Sequence, residues 1–251
     1  MRVSIRGIAV VAVVAALFGQ GDIALSQVPA APKAVWTASS DAPKDLLTAL
    51  EGERHDRFIA RARAGDLDLV FFGTTDTEMW MWPDRGLPVW NRVFGPMKAA
   101  DFGSQGTRFE SLTWRMRNGE LDGYRAKLIV LQASGDDEVV IRDGKFDDHV
   151  AKYASLIAEI RARQPQARIL LFGFFPRSET HTASGANAAL SKLANNETVF
   201  FVDMSSRFFR ADGSHKTEMW RMSGPPDAGI QTPAFEVWAE VLQPWLDRFV
   251  R

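Results

Sequence analysis

The chain contains no cysteine, and this absence removes several classes of chemistry. A cysteine count of 0 among 251 residues excludes disulfides, a thiol nucleophile and a cysteine-linked lipid anchor. A large net charge is also absent: the formal charge is −1, which gives no electrostatic basis for binding nucleic acid. No internal repeat stands out, so solenoids and propellers are not expected. What is present is an apolar fraction of 46%, which suffices for one large core.

The first residues follow the pattern of an export signal. Arg2 and Arg6 give a positive start, residues 8–18 form an apolar core, and residues 24–26 are a small-x-small cleavage site. The apolar run is too short to span a bilayer comfortably, and a buried N-terminal helix is the alternative. We therefore predict a periplasmic or secreted protein with no integral membrane segment after cleavage. Its predicted parts are a signal peptide (residues 1–26), a flexible leader (27–44) and one folded domain (45–251).

Short apolar runs that stop at a glycine or a polar turn recur through this domain. The first, Leu67–Phe72, stops at Gly73 and is typical of a parallel strand with both faces covered. Further strands are predicted at residues 127–132, 168–172 and 198–202, with helices at 45–64, 146–163, 184–195 and 235–246. Because strands alternate with helices, the pattern indicates an α/β fold whose parallel sheet is covered on both faces.

The segment after the first run is polar, and in open α/β sheets the loop after such a strand lies at the ligand-binding edge. Residues 73–78 read Gly-Thr-Thr-Asp-Thr-Glu. In this frame the chain resembles the SGNH (GDSL-type) hydrolases, especially the bacterial relatives of platelet-activating-factor acetylhydrolase, whose Gly-Asp-Ser-Ile-Thr-Glu carries a nucleophilic serine. The resemblance puts Thr75 in the serine's place. It implies a single three-layer, flavodoxin-like domain with a five-stranded parallel sheet.

Two further blocks resemble those of the same family. Residues 99–108 are similar to its second block, in which a glycine N–H helps to form the oxyanion hole, and Gly106 fits that glycine. Residues 133–137 are similar to its third block, but Asp136 stands where an asparagine amide donates to the oxyanion. An ionised carboxylate there would repel the developing negative charge. The predicted ligand-binding residues around this site are Thr74, Asp76, Asp137 and His215.

The family's last block supplies an Asp-x-x-His pair before a terminal helix, and the histidine is missing here. Aligned without gaps, Pro226 takes the place of the aspartate and Gly229 that of the histidine. With one residue deleted, Asp227 keeps the aspartate and Ile230 replaces the histidine, and we prefer this register. Both registers lack the imidazole, and no histidine follows His215.

Two arrangements would compensate for the missing base. His215 follows the last predicted strand and would serve as a displaced base, although an exposed loop histidine is the favoured interpretation. Alternatively, acidic side chains at the sheet edge would gather a metal ion, but their spacing matches no ligand motif. These side chains are Asp76, Glu78, Asp136 and Asp137. We therefore predict neither a metal nor a cofactor. The remaining histidines, His55, His149 and His181, are predicted to lie at the surface.

Three functions are compatible with this pattern. A serine esterase needs a nucleophile, a base, a group that orients the base, and oxyanion donors. Since this set is broken at several positions, the leading hypothesis is a pseudo-esterase that binds a small acylated, lipid or glycan ligand, or a protein partner. The alternative is an active carboxylic-ester hydrolase that uses Thr75 and a relocated base such as His215. A scaffold for cell-envelope assembly is the third hypothesis.

Overall fold

A parallel sheet forms the centre of the molecule. The computed structural model describes Leu47 and residues 49–132, 146–221 and 228–251. The strands are β1 (Leu69–Gly73), β2 (Ala99–Gly103), β3 (Leu128–Gln132), β4 (Arg168–Phe172) and β5 (Val199–Val202). Within the described residues they form a five-stranded sheet in the order β2-β1-β3-β4-β5, with every neighbouring pair parallel. The predicted α/β fold is confirmed. The predicted signal peptide and leader lie outside the described residues.

Helices cover both faces of this sheet. They are α1 (Ala49–Arg63), α2 (Thr75–Glu78), α3 (Leu87–Val93), α4 (Phe109–Arg115), α5 (Phe146–Arg163), α6 (Ser184–Leu190) and α7 (Thr232–Phe249). One face packs against α1, α4, α5 and α6, and the other against α3 and α7. A short antiparallel pair joins β6 (Trp220–Arg221) to β7 (Gly229–Ile230). Among the described helices, none is long and apolar enough to cross a membrane.

Aromatic packing fixes the segment that follows α2. Trp80 is fully buried on the α7 side of the sheet. The centroid of its ring lies 4.6 Å from that of Phe235 and 5.2 Å from that of Trp238, both in α7. Because Trp80 lies only two residues after the end of α2, these contacts anchor the helix that begins with Thr75.

Two glycines allow α2 to lie directly on the sheet. Gly73 ends β1 and Gly103 ends β2, and the two are register neighbours. A Cβ added at Gly103 would lie 2.6 Å from the carbonyl carbon of Thr77, closer than real Cβ contacts. This close approach places α2 against the carboxyl ends of two strands.

The prediction that the histidines lie at the surface is wrong for three of them. His55, His149 and His215 are 0%, 3% and 5% exposed, respectively. His55 is bonded to Glu120 (2.7 Å), while aromatic rings pack against the other two. Their burial depends on groups from distant parts of the chain, such as Glu120 beside His55 and Phe109 beside His149, so local spacing did not indicate it.

Candidate functional site

The loops that follow neighbouring strands meet at the carboxyl edge of the sheet. Gly73 lies opposite Gly103 of β2 and Gln132 of β3, so the segments after these strands start side by side. The peptide N–H of Thr74 donates to the carbonyl of Gln132 (3.3 Å), and that of Ser104 donates to the carbonyl of Gly73 (3.3 Å). The segments that carry Thr74 and Ser104 are therefore tied to the same edge.

Thr75 and Gly106 present peptide N–H groups on these adjoining loops. Thr75 is the first residue of α2 and is partly exposed. Gly106 is exposed, its φ is +78°, and an added Cβ would meet nothing within 4 Å. In the part of the chain that the structure describes, neither N–H donates to a protein acceptor. Two such donors suit a carbonyl oxygen or an oxyanion.

The neighbours of Thr75 differ from it in exposure. Thr74 and Asp76 are both buried, which leaves Thr75 as the accessible member of the three. Three predicted site residues, Asp136, Asp137 and Asp227, lie outside the described residues, and their place at the site stays a prediction.

Short strand β7 occupies the region that the resemblance assigns to the catalytic base. Gly229 packs on Met79, since an added Cβ would lie 3.0 Å from the Met79 methyl carbon. Met79 follows Thr75 by about one helical turn, so β7 borders the Thr75 segment. Ile230, the other residue aligned with the family's histidine, is fully buried. Neither Gly229 nor Ile230 has a side chain that accepts a proton.

A polar pair beside β7 was missed by the sequence interpretation. The buried side chain of Gln231 donates to the carbonyl of Gly229 (2.8 Å) and accepts from Nη1 of Arg85 (3.3 Å). These bonds hold β7 in place just before α7 begins at Thr232. The only sign of this pair in the sequence was that Gln231, a polar residue, stands directly before the terminal helix. A neutral amide is nevertheless no substitute for a general base.

The ring of His215 has its partners outside α2. Its Nε2 lies 3.2 Å from the carbonyl oxygen of Pro176, and because a carbonyl only accepts, Nε2 carries the hydrogen. The ring also packs against Phe209, with centroids 5.7 Å apart, and the peptide N–H donates to Glu179 (2.8 Å). Among the described residues, none of these partners belongs to α2 or to the residues next to it. The structure therefore does not bring His215 into contact with Thr75.

An ion pair that the sequence interpretation also missed joins α1, α2 and the Gly106 loop. Nη2 of Arg54 lies 2.6 Å from Oε1 of Glu78, and these side chains are 12% and 13% exposed. Nη1 of Arg54 lies 3.4 Å from both the Ser104 hydroxyl and the Gln105 carbonyl. The second oxygen of Glu78 accepts a hydrogen bond from the peptide N–H of Gln105. One carboxylate thus connects the helix of Thr75 to the loop of Gly106.

A second carboxyl group, Asp101, lies near Glu78. Burial raises the pKa of Asp101 well above its ordinary value, and the charge of Glu78 raises it further. The peptide N–H of Gly103, 2.6 Å away, and the charge of Arg115 only partly oppose this. The shift favours the neutral acid at Asp101. Within the described residues, no group of three or more histidine, cysteine, aspartate or glutamate side chains is placed to hold a metal ion.

His149, in the first turn of α5, is enclosed by aromatic rings near the same edge. Its ring centroid lies 4.8 Å from that of Phe109, the first residue of α4, and 5.1 Å from that of Phe174. Burial, together with the charge of Lys152, lowers the pKa of His149 from 6.5 to about 4. The imidazole is therefore neutral at physiological pH.

We expect His149 to make the protein less stable as the pH falls from about 6.5 to about 4, because the unfolded chain binds a proton that the folded chain resists. Complete protonation corresponds to a loss of about 3 kcal/mol. His149→Phe keeps the aromatic packing and should remove this part of the pH dependence, whereas His181→Gln should retain it. Urea denaturation across this pH range measures the effect. The same pH dependence in wild type and His149→Phe would contradict it.

Sequence comparisons place the chain near acyl-ester hydrolases. Residues 71–224 match the GDSL-like lipase/acylhydrolase family. Platelet-activating factor acetylhydrolase IB subunit alpha2 of Rattus norvegicus is 25% identical over 203 residues, which cover 76% of this chain and 84% of that protein. Subunit alpha1 of Bos taurus is 26% identical over 167 residues, which cover 64% of this chain and 68% of that protein.

Solved structures of low sequence identity share the fold. A GDSL-like lipase from Bacteroides thetaiotaomicron superimposes with a TM-score of 0.55 at 14% identity, covering 77% of this chain and 97% of that chain. A member of the lipolytic protein G-D-S-L family from Veillonella parvula gives a TM-score of 0.51 at 10% identity, covering 73% and 100%. At such identities the likeness concerns the fold.

Proposed function

Because the chain belongs to the GDSL-like lipase/acylhydrolase family, we propose that it has kept an acyl-binding site and lost the hydrolytic chemistry. One observation carries this proposal: among the described residues, no imidazole is hydrogen-bonded to the Thr75 hydroxyl. The residues aligned with the family's histidine are Gly229 and Ile230, and β7 packs them against Met79 and the core.

The chemistry of threonine makes this loss consequential. An alcohol attacks an ester only when a base removes its proton, and Thr75 has no such base among the described residues. Its extra methyl group also restricts χ1 and crowds the path of attack. Enzymes that lose one member of the triad retain only the modest catalysis of the oxyanion hole and binding. Ester hydrolysis through Thr75 should therefore be close to background.

The two peptide N–H groups favour an acyl ligand. The donors of Thr75 and Gly106 suit the carbonyl oxygen of an ester, and binding such an oxygen requires no base. Two relatives carry the name platelet-activating factor acetylhydrolase, so the ligand class we propose is an acetylated lipid or a similar small acyl ester. The site would hold the ester without cleaving it.

The wild-type protein should not hydrolyse p-nitrophenyl acetate above the buffer rate, and Thr75→Ala should not change that rate. It should nevertheless bind platelet-activating factor, followed through tryptophan fluorescence. Thr75→Pro removes the peptide N–H at the first helical position, where proline is tolerated, and should weaken binding about tenfold. Thr75→Val keeps the N–H and is the matched control.

Three results would contradict this proposal. Robust hydrolysis that Thr75→Ala abolishes would show an active esterase, and sensitivity to His215→Ala would then identify a relocated base. Equal affinities of Thr75→Pro and Thr75→Val would mean that the peptide N–H does not bind the ligand. A protein that neither binds nor hydrolyses would favour the scaffold hypothesis.

A further inference from the structure

We propose that Glu78 and Arg54 are positioning residues that hold the Gly106 peptide in place for an acyl carbonyl. What Gly106 binds rests on the proposed function, whereas the positioning itself rests on contacts within the chain. Glu78 ends α2, the helix that Thr75 begins. Its carboxylate accepts the peptide N–H of Gln105, the residue directly before Gly106. A single side chain therefore connects the helix of Thr75 to the loop of Gly106, the two segments that carry the peptide N–H donors.

The Gly106 loop is held on both sides of the glycine. On one side, Glu78 and Arg54 bond to Gln105. On the other side, the hydroxyl of Thr107 donates to Glu51 of α1 (3.1 Å). Gly106 itself adopts a φ of +78° and has no side chain to anchor it. The direction of its peptide N–H is thus set by the contacts of its two neighbours.

Arg54 also compensates the negative charge of Glu78 near the peptide N–H donors of Thr75 and Gly106. An uncompensated carboxylate at Glu78 would oppose the partial negative charge of a bound carbonyl oxygen. Arg54 lies 2.6 Å from this carboxylate, and both side chains are shielded enough that solvent screens the pair less than a surface pair. Because Arg54 neutralises the charge of Glu78, this carboxylate can hold the Gln105 peptide without repelling the ligand.

Hydrogen exchange at the Gln105 amide tests the positioning without any ligand. Glu78→Ala removes the acceptor and should speed exchange at Gln105 about tenfold, with little change at amides of the central strands. Glu78→Gln keeps an oxygen acceptor and should restore slow exchange. Glu218→Ala removes an exposed glutamate paired with Arg210 (2.8 Å) and should leave Gln105 unchanged.

The affinity for platelet-activating factor tests whether Arg54 compensates the charge of Glu78. Arg54→Met should weaken binding about tenfold, and Arg54→Lys should restore most of it because it returns the positive charge. Unchanged exchange in Glu78→Ala, or equally fast exchange in Glu78→Gln, would overturn the positioning role. If Glu78→Ala fails to fold, Glu78→Gln and Arg54→Met test the positioning role instead. Exchange at the Gln105 amide should stay slow in Glu78→Gln and become faster in Arg54→Met, which loses the bond to the Gln105 carbonyl. If the wild type does not bind, the proposed function fails and the exchange result still stands.

Discussion

Replacing Arg115 with methionine should lower the free energy of unfolding by about 3–5 kcal/mol, because it leaves a buried carboxylate without its cation. Arg115, Glu120 and His55 are all 0% exposed. Nε and Nη2 of Arg115 lie 2.8 and 2.9 Å from the two oxygens of Glu120, which is a bidentate pair. Burial alone would raise the pKa of Glu120, yet Arg115 and His55 hold it below its ordinary value.

An exposed ion pair provides the control for this experiment. Arg207 lies 2.9 Å from Glu240, but these side chains are 43% and 64% exposed. Arg207→Met should therefore change the free energy of unfolding by no more than about 1 kcal/mol. Urea denaturation of both variants measures the difference. Similar losses in the two variants would mean that solvent reaches Arg115 and Glu120.

Replacing Gly73 with alanine should destabilise the protein by at least about 3 kcal/mol, because the new methyl group has no room. An added Cβ would overlap the Thr77 hydroxyl of α2 and the Gln132 carbonyl oxygen of β3. That carbonyl also accepts from Thr74 N–H and the Thr77 hydroxyl (3.1 Å). Relief of the clash would have to separate α2 from the sheet and break these bonds.

Gly213→Ala is the matched control for this substitution. Gly213 has a φ of +85°, and an added Cβ would meet nothing within 4 Å, so the variant reports backbone strain alone. It should lose about 1 kcal/mol. Thermal and urea denaturation compare the two variants. If Gly73→Ala were as stable as Gly213→Ala, α2 would have to lie farther from the strands.

Much of the sheet could be predicted because four of its five strands are continuous apolar runs. The predicted runs at residues 127–132, 168–172 and 198–202 correspond closely to β3, β4 and β5, and α5 spans the residues that its periodicity indicates. Strand β2 was not recognised, since Asp101 interrupts its apolar residues.

The residues of the candidate site that belong to a sequence motif could be predicted. The residues that come together only through long-range contacts could not. The frame of residues 73–78 predicted Thr75 as a site residue, and the glycine-rich second block predicted Gly106. The structure places both on adjoining segments after β1 and β2, and their roles stay predictions. The Arg54–Glu78 pair joins two helices and has no fixed spacing along the chain. No local pattern predicts such a pair, because its energy depends on the burial that the whole fold provides.

The place of α7 in the fold has a consequence for how the protein is made. Trp238 of α7 packs against rings from early and middle parts of the chain, with centroids 5.2 Å from Trp80, 5.4 Å from Phe172 and 5.0 Å from Phe175. A ribosome produces all five strands before it produces α7. Until then, the part of this aromatic face that α7 covers stays exposed, and exposed apolar surfaces of this kind are what chaperones bind. Closure of the core is thus a late event of biosynthesis, which follows synthesis of the loops at the carboxyl edge of the sheet.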